Sequence, residues 1–169
     1  MLWRPTFGIS SEAHLKKATI MAGVQLATVK ATSGLVGSGR ATCEVRGQEY
    51  RLDAPPLIDG PNEEINPVEA LLGPLAACAV LFVQYLARTM KIPVDDVTAE
   101  VEGDFDPRGV KGEDADPILS AVRLTYFVKP GTGADRDGIE RLVEVFRSRC
   151  PVHRTFAKAV SITEEIVLV

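Results

Sequence analysis

The chain is short of the residues that would tie it to nucleic acid, to a metal or to an oxidising compartment. Lysine and arginine number 19 against 23 acidic residues, a net charge of -4. With a pI near 5.3 there is no basic footprint for nucleic acid or an anionic membrane, and neither is expected as a partner. Cysteine occurs three times. An odd count, with no continuous apolar stretch in the opening MLWRPTFGISSEAHLKK to serve as an export signal, argues against a disulfide framework and for a cytoplasmic chain with reduced thiols. There is no Cys-x-x-Cys and no histidine pair, so a four-ligand zinc site lacks its spacing. The acids Asp106, Glu113, Asp114 and Asp116 do not follow an EF-hand loop and read as a solvated turn. No glycine-rich loop follows a strand and opens a helix, so nothing marks a phosphate site, and no cofactor is expected. Internal repeats and low-complexity tracts are also absent.

What the chain does have is one long apolar segment, Asn66 to Met90, around which the rest must be organised. Asn66 is a good N-cap, Pro67 suits the first helical position, and Glu69 completes capping-box spacing. From Ala70 to Ala87 almost every residue is apolar or small, which predicts a helix buried on all sides. A membrane span is the rival reading. Gly73, Pro74 and Gln84 interrupt the run, its length is marginal for a bilayer, and the remaining sequence is that of a soluble protein, so no membrane is expected. Pro74 should kink or break the helix. A fresh segment starting there would put Cys78 in its first turns, where the positive end of the dipole lowers the thiol pKa.

At 169 residues a single domain suffices. Residues 1–22 read as an arm or a short helix capped at Ser10 or Ser11, with His14 a solvated histidine, and the domain proper runs from 23 to 169. VQLATVKA (24–31), RATCEVRG (40–47) and QEYRLDAP (48–55) read as three strands, with Gly34, Gly37, Gly39 and Gly47 at turns and a tight hairpin at Arg46-Gly47. Cys43 shares a face with Ala41 and Val45, as a small core thiol would. A Pro/Gly/acidic loop, 53–66, leads into the long helix. Val97 to Phe105 alternates as a half-buried strand, and Ile118 to Lys129 is another. Asp135 to Cys150 carries Ile139, Leu142, Val143 and Phe146 on one helical stripe. SITEEIVLV closes the chain as a strand. Three strands, long helix, two strands, helix and strand make an α+β domain with antiparallel pairing.

Cys78 and Cys150 each lie on the apolar side of a helix, and helices packed at 8 to 10 Å would let them meet. They are either inert core thiols or a redox pair. A thiol of ordinary pKa is a poor nucleophile at neutral pH without a cation or a helix N-terminus beside it, and Arg40, Arg46 and Arg51 are the strand guanidiniums available. Cys150, at a helix C-terminus, is the weaker attacker and suits a resolving role. The Cys150-Pro-Val-His153 cluster admits a Cys/His hydrolase in principle, but the sequence supplies no group to orient the histidine.

Pro67-x-Glu69-x-Leu71-Leu72 running into Ala76-Ala77-Cys78, with Cys150-Pro151-Val152 ending a second helix before a last strand, resembles the OsmC/Ohr family over roughly Gly23 to Val169. The resemblance implies an OsmC-like α+β fold, with antiparallel sheets around a long central buried helix, in an intertwined homodimer with two interface sites. It also implies thiol-dependent reduction of small hydrophobic organic hydroperoxides, with no cofactor beyond a dithiol reductant such as a lipoyl group. By the same resemblance the residue matching Cys78 is oxidised to a sulfenic acid and the one matching Cys150 condenses with it. An arginine, Arg40 or Arg46 here, stabilises the thiolate. In characterised hydroperoxidases of the family a glutamate directly after Asn-Pro partners that arginine. Here Val68 holds that position and the acid is Glu69, about 100° further round the helix, which leaves Glu69 as either a cap or the displaced acidic partner. His153 stands where a small hydroxyl residue is common. The alternative is a non-enzymatic stress protein on the same scaffold, binding a small hydrophobic ligand at the dimer interface.

Overall fold

The structure is a computed structural model that describes residues 20–21 and 24–169. The expectations for Ser10, Ser11 and His14 lie outside the described residues. Two short strands, β1 (Ile20–Met21) and β2 (Val24–Gln25), pair antiparallel. A three-stranded antiparallel sheet comes next, of β3 (Thr32–Gly37), β4 (Arg40–Val45) and β5 (Gln48–Asp53). The first of these strands departs from the expected 24–31, and Gly34 and Gly37 lie inside it rather than at turns. The cause is the tight turn through Gly39, at φ 67, which pairs the residues immediately before it with β4 and so fixes the register. The β4–β5 hairpin is as expected: Arg46 and Gly47 both have positive φ, 54 and 76, the backbone a two-residue turn of this hand requires.

Helix α1 (Pro67–Met90) begins as the sequence indicates. The Asn66 side chain accepts from the amides of Val68 and Glu69, and Glu69 accepts from the Asn66 amide at 2.8 Å. Two expectations fail. Pro74 does not break the helix, which runs unbroken for 24 residues. Pro74, eighth in the helix, gives up one intrahelical hydrogen bond, and the packing of α1 into the core absorbs that loss. Nor is α1 buried all round. Leu75, Ala79, Val83, Leu86 and Ala87 form the buried stripe, whereas Leu71, Leu81 and Tyr85 on another face stay exposed. By length and composition α1 could cross a bilayer, but its buried stripe packs into the protein's own core.

The second sheet is β6 (Val94–Phe105), β7 (Leu119–Pro130) and β8 (Ile162–Leu168), in that order. β6 and β7 pair antiparallel, but β7 and β8 are parallel, contrary to the all-antiparallel expectation. Helix α2 (Arg136–Arg149) and a further helix α3 (Pro151–Ala159) carry the chain from β7 to β8 as a crossover, so β8 re-enters in the direction of β7. Gly103 lets α1 lie close to β6, since a Cβ there would meet Leu72 at 3.3 Å. The main core joins the buried stripe of α1 to Val97, Leu124, Tyr126, Val128, Ile139, Leu142, Val143, Phe146 and Cys150.

Candidate functional site

Cys78 and Cys150 are brought together. Cys78 sits mid-way along α1, three and seven residues before Leu81 and Tyr85, on the stripe the core leaves open, yet it packs against the core's edge. Cys150 is fully buried, and Cys78 packs against the core cluster to which Cys150 belongs, close enough for the Cys150 sulfur to bear on its titration. Both are free. Burial first, and the neighbouring Cys150 sulfur second, push the Cys78 thiol up to about 11. The expected lowering by a helix terminus is thus reversed: with α1 unbroken at Pro74, Cys78 is deep in the helix and far from its positive end. At pH 7 a thiol of that pKa is about one part in ten thousand thiolate.

Cys150 stands at the helix end expected of it, and it has a second place in the fold as well. It closes α2 and also caps α3, its sulfur accepting from the His153 amide at 3.4 Å. A helix ending before Pro151 is all that the sequence reading provides, and α3 is absent from it. The signal for α3 is nonetheless present, since proline just after a capping residue marks a helix start and Val152 and Phe156 are spaced four apart on its apolar side.

The remaining expected site residues lie elsewhere. Glu69 serves the capping box at the start of α1. Arg40, half-buried at the start of β4, forms an ion pair with Glu63 in the loop before α1. That loop is pinned by buried Asp53, which accepts from the amides of Glu63 and Glu64 at 2.7 and 2.9 Å. Arg46 is exposed at the tip of the β4–β5 hairpin. Six residues of strand separate the two arginines by about 20 Å, so a single thiolate can be served by only one of them. Neither forms a hydrogen bond or ion pair with Cys78 among the described residues. Cys43 is not a core thiol: it is half-buried on β4 between Ser33 and Tyr50, with its sulfur 3.4 Å from the Ser33 hydroxyl. Among the described residues no cluster could hold a metal ion.

Behind Cys150 lies a buried polar group that the sequence did not reveal. The Glu164 carboxylate, 8% exposed, accepts from the Tyr126 hydroxyl at 2.6 Å and pairs with Arg147 at 2.5 Å. His153 Nε2 lies 3.3 Å from the same carboxylate, close but not aligned as a hydrogen bond, and both ring nitrogens are buried without a hydrogen-bond partner. Burial and the Glu164 bond raise the Tyr126 hydroxyl, and the Cys150 sulfur adds to the same effect. A carboxylate therefore stands beside His153. Period-two alternation held the clue, because Glu164 shares a strand face with Ile162 and Ile166.

Comparison with known proteins fits these elements. A family model described as OsmC-like protein matches residues 60–165, well over half of the chain. The chain belongs to the OsmC-like family. An OsmC-like protein from Mycoplasma pneumoniae superposes with a TM-score of 0.72 at 21% identity, covering 85% of this chain and 98% of that one. An organic hydroperoxide resistance protein OsmC from Legionella pneumophila gives 0.64 at 20% identity, over 85% of this chain and 99% of the other. An organic hydroperoxide resistance protein from Elizabethkingia anophelis gives 0.64 at 19%, over 86% and 99%. At these identities the structural likeness establishes the OsmC-like fold. A comparison with curated proteins gave no match.

Proposed function

We propose that this OsmC-like protein is a cytoplasmic, homodimeric thiol peroxidase that reduces small hydrophobic organic hydroperoxides through Cys78 and Cys150. The observation that carries the reading is that two free thiols, one half-exposed on α1 and one buried at the end of α2, reach the same core cluster. In the first step the Cys78 thiolate attacks the terminal oxygen of the hydroperoxide. The O–O bond breaks, Cys78 becomes a sulfenic acid, and the departing alkoxide takes the thiol's proton to leave as an alcohol. Cys150 then attacks the Cys78 sulfur, giving a disulfide and water, and an external dithiol, a lipoyl group by family resemblance, restores both thiols.

The open apolar stripe of α1 and the uncovered β3–β5 sheet support a second copy of the chain as the missing wall. Leu71, Leu81 and Tyr85 flank Cys78 on that stripe, and Leu35 and Val36 are 84% and 57% exposed on β3; apolar surface this extensive marks an interface. The same arrangement offers Cys78 the cation that its own chain does not. Of the two arginines, Arg40 has the better claim, since it is half-buried and already carries a carboxylate, Glu63, in the partnership that Val68 cannot provide. Arg46 is the alternative.

One observation favours a second reading, a non-enzymatic stress protein holding a small hydrophobic ligand against the same stripe: the thiol of Cys78 is pushed up to about 11 and so is protonated at rest. Stopped-flow mixing of reduced protein with cumene hydroperoxide separates the two. The peroxidase reading expects at least about a thousand-fold faster consumption by wild type than by Cys78→Ser, as befits loss of a nucleophile, and a Cys78–Cys150 bridge by mass spectrometry after one equivalent. Equal, slow consumption by both proteins would end it.

A further inference from the structure

Resting on the peroxidase reading, we propose that His153 and Glu164 form a proton-holding pair for Cys150, with Tyr126 and Arg147 fixing the carboxylate. The second step needs such a pair. For Cys150 to attack Cys78–S–OH, its S–H bond must break and a hydroxide must leave, and the atoms balance only when that proton ends on that hydroxide as water. Between the two events the proton needs a place to stay. The site is fully buried at Cys150, so bulk water is not at hand to take it.

Four features of the structure converge on this. His153 is held against the reacting sulfur by its own amide, which donates to Cys150 Sγ at 3.4 Å. Its ring is nine-tenths buried, edge-on to Phe146 with centroids 5.3 Å apart, with both nitrogens lacking a hydrogen-bond partner. Nε2 faces the Glu164 carboxylate at 3.3 Å, so a proton placed on that nitrogen has an anionic neighbour. Glu164 in turn is locked by Tyr126 and Arg147 and lines a groove of about 580 Å³ between α2 and β8, beside Glu140, Arg141 and Glu144. The pair beside the buried thiol thus reaches an open face between α2 and β8, distinct from the α1 stripe. Beside His153 stand Cys150 at the end of α2 and Glu164 on β8, and the Glu164 carboxylate also meets Tyr126 on β7 and Arg147 on α2. His153 and Glu164 act through Cys150 and are positioning residues.

The test uses full-length protein carrying His153→Gln and, separately, the near-isosteric Glu164→Gln, which keeps the question open should the first variant fail to fold. Disulfide closure is followed by quenched mass spectrometry from pH 5 to 9, with dimedone trapping any Cys78 sulfenic acid. Expected is closure at least 10-fold slower than wild type near pH 7, trapped sulfenic acid when wild type has already closed, and a closure rate that keeps rising to high pH where wild type has levelled off. A parallel arm closes the bridge with diamide, which forms an adduct on Cys78 that Cys150 displaces, and needs no peroxidase activity. The same altered profile in the diamide arm sustains the proposal even if wild type ignores hydroperoxide. Wild-type rates and pH profiles in both variants, in the diamide arm, overturn it.

Discussion

The two sheets of this chain are built to opposite specifications. β6, β7 and β8 lie under α1 and α2, and Val122, Leu124, Tyr126 and Val128 on alternate positions of β7 are all buried. Among the described residues β3, β4 and β5 have no such cover: every residue of β3 is exposed, and only the end of β5, Leu52 and Asp53, is buried. A sheet needs at least one face against something apolar to be stable. The difference teaches that the C-terminal layers bury a core of their own, whereas the N-terminal sheet buries almost none among the described residues, as the proposed dimer would require. It also explains why the thiol pair is finished on one side, with Cys150 sealed in the core, and unfinished on the other, with Cys78 on the open stripe.

The largest effect should come from removing the keystone of the finished half. Phe146 is fully buried and stacks edge-on with Phe82, Tyr126 and His153, so Phe146→Ala should cost about 3–5 kcal/mol. In urea melts that loss should be the same at every protein concentration. Leu35→Ala on the uncovered sheet should behave otherwise, costing stability at high concentration and less than about 0.5 kcal/mol once the protein is dilute. Equal concentration dependence of the two variants would erase the distinction between the halves.

The same contrast sets what could be read in the sequence. The capping box of α1, the strand at β6, the hairpin at Arg46-Gly47 and the α2 stripe were legible because each is decided within a few residues. That Cys78 and Cys150 approach the same core was legible as well, since both sit on apolar helical faces. The parallel return of β8 was not, because it depends on α3, hidden behind Pro151. The direction of the Cys78 shift was illegible for a similar reason: whether Pro74 breaks the helix is settled by the whole packed turn, not by the residue. Glu164 was hidden by distance, as its partners Tyr126, Arg147 and His153 come from three other elements.

A smaller effect probes the open stripe itself. Leu81, 65% exposed beside Cys78 in the helical stripe, should tolerate Asp in an isolated chain but weaken self-association by roughly 100-fold, since a buried unpaired charge costs several kcal/mol. Sedimentation would read the change directly. Iodoacetamide alkylation of Cys78 then sharpens it. In the monomeric Leu81→Asp protein the rate should climb about tenfold per pH unit towards the thiol's value of about 11, because only the thiolate reacts. In wild type, with a guanidinium supplied across the interface, the rise should level off at lower pH. Identical profiles for monomer and dimer would mean that the second copy brings no cation to the sulfur.

The smallest effect belongs to the entry of α1, where the two halves of the chain are joined. Asn66 satisfies two amides at the helix start, and its own amide is satisfied by Glu69, so Asn66→Ala should cost about 1 kcal/mol. Glu69→Gln keeps an acceptor for the Asn66 amide and should cost less. If Glu69 only caps, both variants should keep wild-type hydroperoxide kinetics once corrected for folded fraction. A fall in rate without a matching fall in stability would move Glu69 from the scaffold into the site, and would mean that an acid one residue along the helix can still reach the arginine that Val68 leaves unpartnered.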